Sequence, residues 1–342
     1  MVGWALILAG CGFVTQSELD ERLGHLDSGG GPSVASDTGA LDTASEDPAT
    51  VTDTGTGPIT DTALPSTEDI GELGSWVEVT AGYDHTCARS EAGQVSCFGR
   101  NDEGQSVDPV GTYQSVSAGL NFTCAVDHLG EVSCWGDGMA HGVESVNGAE
   151  QVSAGAHHAC ALAPDQLPVV QCWGDNLSGE LGAGSDLEQG YHSIHAGGEH
   201  TCGLAETGQA TCWGHDIWGV DALDPSEYFL RISTGSQGSC GIREGNGDLV
   251  CGGDGPTGEY AAGPLAELSL GHDHVCAIHE AGDLACWATD ETTPLDPPAG
   301  FFEAVSVGWH HACAIDPDGT LHCWGDNQEG QAPDQLLPPP AP

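Results

Sequence analysis

An all-β fold made of repeated short hairpins is predicted by three observations. The chain of 342 residues contains 52 Gly and 19 Pro but only 6% aromatic residues, which suits strands joined by many turns. From Trp76 onward one unit recurs seven times, with two cysteines in each copy. Within a unit the apolar segments, such as HTCAR and QVSCF, are too short for helices and are bounded by Gly.

The repeated unit is seen in VTAGYDHTCARSEAGQVSCFG near the start and in VSVGWHHACAIDPDGTLHCWG near the end. Short strands repeated with a Trp-Gly pair indicate a β-propeller, in which we expect each unit to supply one four-stranded blade. Blades five and six depart from the pattern, since Gly238 replaces the His, Gly252 the Trp and Ala288 the following Gly. These changes put the regularity of those two blades in doubt.

The two cysteines of a unit are predicted to form a disulfide. A three-residue turn places cysteines ten positions apart directly opposite each other on paired strands, within reach of an S–S bond. The expected pairs are Cys87 with Cys97, Cys124 with Cys134, Cys160 with Cys172, Cys202 with Cys212, Cys240 with Cys251, Cys276 with Cys286, and Cys313 with Cys323. They use fourteen of the fifteen cysteines and point to an oxidising compartment.

The remaining cysteine, Cys11, follows a short apolar run, and Leu8-Ala9-Gly10-Cys11 resembles a bacterial lipobox. We expect residues 1–10 to be a lipoprotein signal peptide and Cys11 to carry lipid, the only attachment to a membrane. The basic segment that usually precedes such a run is missing, and the alternative is a buried apolar strand with an incidental cysteine. The first interpretation predicts a location in the bacterial cell envelope, as an outer-membrane lipoprotein or at the cell surface.

Two segments are predicted to lie outside the repeats. Residues 11–75 comprise Cys11 and a stretch dominated by Ser, Thr, Asp, Gly and Pro, which we expect to be a disordered acidic tether. The repeats occupy 76–333, and 334–342 form a Pro-rich tail.

The stretch A-G-x-x-H-[ST]-C-A and the tail C-W-G-x-N-x-x-G-[QE], best seen in CWGDNLSGELG and CWGDNQEGQ, resemble the regulator of chromosome condensation repeat in a cysteine-paired bacterial form. The resemblance implies a seven-bladed propeller closed into a ring. The eukaryotic founder is a nucleotide exchange factor that docks on chromatin, and predicted export and the charge of this chain argue against both roles. A nearer analogue is the secreted beta-lactamase inhibitor protein II, which grips an enzyme with one propeller face.

The charge of the chain excludes one class of partner. The chain has five arginines, no lysine and 52 acidic residues, which give a formal net charge of -47. Such a surface repels phosphate backbones and anionic lipid headgroups, so we expect no nucleic-acid partner. Basic proteins, polycationic polymers and loosely held divalent cations remain compatible with it.

No pattern in the repeats predicts a catalytic site, a bound metal or a cofactor. His85, His158, His200, His274 and His311 precede a cysteine by two positions, but the paired C-x2-C spacing of structural zinc sites is absent from the sequence. We therefore expect structural histidines, hydrogen-bonded to a neighbouring blade. The tryptophans that follow cysteines are expected to pack between blades: Trp135, Trp173, Trp213, Trp287 and Trp324.

Two positions between the fixed Gly and the fixed His vary freely, and a propeller would bring them to one end as a ring. The predicted partner-binding ring comprises Tyr83, Asp84, Leu120, Asn121, His157, Glu199, Gln237, His272, Asp273, Trp309 and His310, with small residues at Ala156, Gly198 and Ser236. The alternative is that these are solvated loop residues without a role. A second candidate surface is formed by the loops that carry Trp218 and Tyr260.

The sequence thus predicts a monomeric, non-enzymatic binding module that presents a propeller face to a protein or polysaccharide outside the cell. Two alternatives stay open: an inhibitor of an extracellular hydrolase, and a lyase or glycosidase with carboxylates in the central opening.

Overall fold

The computed structural model describes residues 74–137, 146–215, 223–224, 226–253, 263–288, 296–333 and 335–336. Within these residues the chain forms seven antiparallel sheets of three strands, in chain order in each sheet. The first four blades are β1 (Trp76–Ala81), β2 (His85–Ser90) and β3 (Val95–Gly99); β4 (Tyr113–Ala118), β5 (Phe122–Asp127) and β6 (Val132–Gly136); β7 (Gln151–Ala154), β8 (His158–Leu162) and β9 (Val170–Gly174); and β10 (Tyr191–Ala196), β11 (His200–Ala205) and β12 (Ala210–Gly214). The other three are β13 (Phe229–Thr234), β14 (Gly238–Arg243) and β15 (Leu249–Gly253); β16 (Leu265–Leu270), β17 (His274–His279) and β18 (Leu284–Ala288); and β19 (Ala304–Val307), β20 (His311–Ile315) and β21 (Leu321–Gly325).

Among the described residues there is one short helix, α1 (Ser185–Glu188), between the third and fourth blades. In the described part of the chain, no helix is long and apolar enough to span a membrane. The predicted signal peptide, Cys11 and nearly all of the tether lie outside the described residues. So do Trp218, Tyr260 and most of the Pro-rich tail.

The predicted disulfides are confirmed in all seven blades. The two cysteines of each blade face each other on the middle and outer strands, as Cys87 and Cys97 do, and the Cα–Cα distances are 4.0 to 4.1 Å. The first cysteine of every pair is fully buried. Blades five and six keep the same register, so Gly238, Gly252 and Ala288 do not disturb the sheets.

The expected four-stranded blade is wrong for the described residues, where each sheet has three strands. The first blade shows the reason, because the chain after β3 folds into turns held by side chains rather than into a ladder. Asp108 accepts a hydrogen bond at 2.7 Å from the main-chain N–H of Cys97 on the outer edge of the sheet. The Asn101 side chain likewise accepts from the N–H of Ser106 at 3.0 Å.

The hydrophobic core lies between neighbouring blades, and the seventh blade packs against the first to close the ring. Trp76, Val79 and Ala88 of the first blade share one cluster with Cys313 and Leu321 of the last. At the same junction the Trp76 indole donates to the carbonyl of Leu336 at 3.1 Å. Leu336 also pairs with Leu321 as an isolated bridge, so the end of the repeat region is fastened to both blades.

A belt of hydroxyl groups joins the inner strands around the ring. At six of the seven junctions a Ser or Thr near the end of one inner strand accepts a hydrogen bond from a main-chain N–H of the next, as Thr80 does from Ala118 at 2.9 Å. At the junction between the fourth and fifth blades His195 stands in place of the hydroxyl residue. The inner strands are therefore held in one register, with their ends level at one face.

A candidate binding surface at the axial mouth

The ends of the seven inner strands surround an open axial cavity, which we call the axial mouth. At each inner-strand end a Gly is followed by the two variable positions and then by the middle strand. At six junctions the N–H of the first variable residue donates to the carbonyl of the equivalent Gly in the next blade, as Trp309 does to Gly82 at 3.2 Å. These bonds form a main-chain collar around the mouth.

Glycine is needed in this collar because the blades approach too closely for a side chain. A Cβ at Gly82 would lie 2.5 Å from the carbonyl oxygen of Gly119 and 2.6 Å from Cε1 of His85. The equivalent Gly155 and Gly308 meet the same two obstacles, at 2.2 and 2.4 Å from the next carbonyl. The repeated Gly is therefore a packing requirement of the ring.

The first variable residues of the predicted ring lie together at one end of the propeller. They line one axial cavity: Tyr83, Leu120, Ala156, Gly198, Ser236, His272 and Trp309. The second variable residue lies further out, where His157, Glu199, Gln237 and His310 are exposed and Asp84, Asn121 and Asp273 are half-buried. The partner-binding role of these residues stays a prediction.

One side of the mouth is an aromatic arc formed by Tyr83, Trp309 and His272 from three consecutive blades. The ring centroids of Tyr83 and Trp309 are 4.4 Å apart, and those of Trp309 and His272 are 3.8 Å apart in an edge-to-face arrangement. Each of these residues is half-buried. The arc therefore presents a preformed, partly solvated aromatic surface to the cavity.

The opposite side carries small residues and polar groups. Ala156, Gly198 and Ser236 leave the mouth open toward a second hollow, which His157, Glu199, His215 and Gln237 also line. The Glu199 carboxylate lies 3.1 Å from Nδ1 of His215. The mouth is thus asymmetric, although the seven blades that build it share one backbone plan.

Carboxylates surround the arc. Asp84 lies 3.7 Å from Arg100, whose nearer partner is Asp102 at 2.9 Å. Partial burial, together with the nearby carboxylates of Glu329 and Asp326, raises the pKa of Asp84 against the opposing effect of Arg100. On the other flank Asp273 lies 3.1 Å from Nδ1 of His272.

The repeated histidines lie behind the mouth as struts between blades, as predicted. Nε2 contacts the hydroxyl of the next blade in four cases: His85 with Thr123, His158 with Thr201, His200 with Ser239, and His311 with Thr86, at 2.7 to 3.0 Å. Burial is the main cause that lowers the pKa of His85 to about 3, and of His158, His200 and His311 to about 4. These rings are therefore neutral near pH 7.

The last residue of the Gly-[Gln/Glu] tail completes three of the four struts, a role that the sequence did not reveal. The Thr123 hydroxyl donates to the carbonyl of Gln105 at 3.0 Å, and the Trp135 indole donates to the same carbonyl at 3.1 Å. Because the single hydroxyl proton is used there, His85 must donate through Nε2. Glu180 has the same role for Thr201 and Trp213.

A signal for the struts is present in the sequence. For four of the five repeat histidines, the next blade has a Thr or Ser one position after the residue that is equivalent to the histidine. Where Phe122 and Gly238 replace the histidine in blades two and five, the next blade has Ala159 or Val275 in place of the Thr or Ser. In the part of the chain described here, no group of three or more potential ligands could hold a metal ion.

The fold and the mouth together define a disulfide-stapled β-propeller with seven blades and an asymmetric axial opening. The family model of the Regulator of chromosome condensation (RCC1) repeat matches residues 76–105 and 302–331, which cover the first and last blades through to the buried Gln105 and Gln331.

Two solved structures are similar to the chain. One is the entire ectodomain of the Physcomitrella patens receptor kinase CR4, at 26% sequence identity and a TM-score of 0.62, with 74% of each chain covered. The other is the CRINKLY WD40 ectodomain of the Arabidopsis thaliana receptor kinase ACR4, at 23% identity and a TM-score of 0.61, covering 76% of this chain and 99% of that one. Together with the repeat match they establish an RCC1-like propeller fold.

Proposed function

We propose that the chain is a non-enzymatic binding module that presents its axial mouth to a protein or polysaccharide outside the cell. The observation that carries the proposal is the asymmetry of the mouth, where an aromatic arc faces small and polar residues across one cavity. Partly exposed aromatic side chains in a preformed hollow are typical anchors of binding surfaces.

The surroundings of the mouth support a binding role. The collar, the hydroxyl belt, the struts and the disulfides fix the backbone below the variable residues, so binding costs little ordering of the chain. Seven disulfides are typical of extracellular or surface proteins. Lipid on Cys11 and a tether to residue 75 would hold such a module at a bacterial envelope.

The proposal is tested by affinity capture from the envelope of the source cells with the full-length chain. Tyr83→Ala combined with Trp309→Ala should abolish recovery of the captured partner, because both anchors of the arc are removed. The matched control is Tyr228→Ala, which removes an exposed aromatic side chain at the opposite face, beside the hairpin turn at Gly208. Equal recovery by the double variant and the wild-type chain would exclude the mouth as the binding surface.

A further inference from the structure

We propose that the axial mouth binds a basic side chain, lysine or arginine, presented by a segment of a partner protein. The inference rests on the proposed function and names the chemistry of the ligand. In this arrangement the aliphatic stem lies against the arc of Tyr83, Trp309 and His272. The charged end lies outside the cavity, near the carboxylates that follow Tyr83 and His272 in the chain, Asp84 and Asp273.

The basic residues leave negative charge beside the mouth. All four arginines of the described residues are already in ion pairs, with Arg89, Arg231 and Arg243 bound to glutamates away from the mouth. Arg100 lies 3.7 Å from Asp84, the residue after Tyr83, and closer still to Asp102. The negative charge of Asp84, Asp326 and Glu329 is therefore incompletely balanced within the described chain, and a cation from a partner would complete it.

The lining of the mouth also favours one kind of cation. The described residues offer no cluster of ligands for a point-like metal ion, whereas the arc offers aromatic rings beside distributed carboxylates. A lysine or arginine gains from both, because its stem packs on apolar surface and its charge is attracted by aromatic rings and carboxylates.

The shape of the mouth also bears on the ligand. Seven inner-strand ends bound the cavity, and this opening admits a single long side chain more readily than a polysaccharide strand. A neutral polysaccharide would also have to displace water from the carboxylates without supplying a charge in return. The shape and the charge of the mouth therefore favour a protrusion from a basic protein segment.

The experiment titrates the full-length chain with a capped heptapeptide of alternating Gly and Lys, and with the same peptide acetylated on every lysine. We expect the first peptide to bind and the acetylated one not to bind. Trp309→Ala should weaken binding about tenfold and Asp84→Asn several-fold, while Tyr228→Ala stays within about threefold of wild type. Binding should also weaken as NaCl rises from about 0.05 to about 0.5 M.

Three outcomes would overturn the proposal: no binding of the lysine peptide, equal binding by Trp309→Ala and wild type, or preferred binding of a neutral polysaccharide from a parallel panel. Circular dichroism and disulfide mapping of each variant separate lost binding from lost folding. If the envelope capture still depends on Tyr83 and Trp309 while the lysine peptide fails, the proposed function stands and only the basic ligand is rejected.

Discussion

Nε2 of His311 lies 2.7 Å from the hydroxyl oxygen of Thr86, so one buried hydrogen bond joins the last blade to the first across 225 positions of the chain. The same hydroxyl donates to the carbonyl of Gln331 at 2.8 Å. The ring is thus closed by side chains as well as by the collar of main-chain bonds.

Thr86→Val should lower the free energy of unfolding by about 1 to 3 kcal/mol, because it leaves the Nε2 proton of His311 and the carbonyl of Gln331 without a buried partner. Urea unfolding of the full-length chain at pH 7 measures the effect. Thr86→Ser is the matched control, since it keeps the hydroxyl, and it should recover most of the loss. Equal destabilisation by both variants would show that the methyl group, and not the hydrogen bond, matters.

The free energy of unfolding should fall as the pH drops from 6.5 toward 4. The unfolded chain binds protons on its histidines below pH 6.5, whereas His158, His200 and His311 stay neutral in the fold down to about pH 4 and His85 to about 3. Each such histidine therefore contributes up to about 3 kcal/mol of destabilisation across this window. Urea titrations at pH 6.5 and 4.5 give the slope.

The contribution of one histidine can be isolated by copying a junction that the chain already contains. His85→Phe combined with Thr123→Ala reproduces the pair Phe122 and Ala159, and it should reduce the pH effect by about 2 kcal/mol relative to wild type. Burial raises the pKa of Glu78 and Glu267, which acts in the opposite direction, but that effect is common to both proteins and cancels in the difference. An unchanged slope would contradict the assignment.

Gly82→Ala should destabilise the ring by more than about 2 kcal/mol, because the new methyl group meets the carbonyl of Gly119 and the His85 ring at 2.5 to 2.6 Å. Gly190→Ala is the control, since no atom lies within 4 Å of the new Cβ there. The two thermal midpoints are compared. Similar thermal midpoints for both variants would mean that the collar can widen with little loss of stability.

Removing one staple by Cys87→Ala with Cys97→Ala should cost about 3 kcal/mol in the free energy of unfolding, by the chain-entropy estimate for a loop of this length. Non-reducing peptide mapping of the wild-type chain should find seven bonds, all within single blades. A bond between blades, or a free thiol among these fourteen cysteines, would contradict the assigned frame.

The repeat made much of the architecture predictable, because local geometry decides it. A turn of fixed length sets the register of Cys87 against Cys97, and the same turn recurs in most blades. The position of Tyr83 and Trp309 at the mouth followed from their shared place in the unit, since a ring brings equal places to one end. The aromatic contact between them could not be predicted, because it depends on the spacing of two neighbouring blades.

The contacts between blades that sequence reasoning missed are those made to main-chain carbonyls. The carbonyl of Gln105 carries no residue-specific signal, although it receives bonds from both Thr123 and Trp135. The expected fourth strand is also missing from the first blade, where Asp108 accepts a hydrogen bond from the N–H of Cys97 on the edge strand. Strands are predicted from the alternation of apolar residues, and this alternation is the same whether a side chain or a neighbouring strand accepts the hydrogen bonds of the edge strand.

The collar of Gly carbonyls and main-chain N–H groups has a consequence for evolution and for engineering. It uses backbone atoms alone, so the two residues after each Gly can be exchanged without altering the bonds that hold the ring. Apart from Gly198, where a new Cβ would collide with the carbonyl oxygen of Ser236, these positions could therefore be diversified together on an unchanged scaffold, much as antibody loops vary on a constant sandwich. A library at these positions would sample new specificities while the folding information stays in the rest of the repeat.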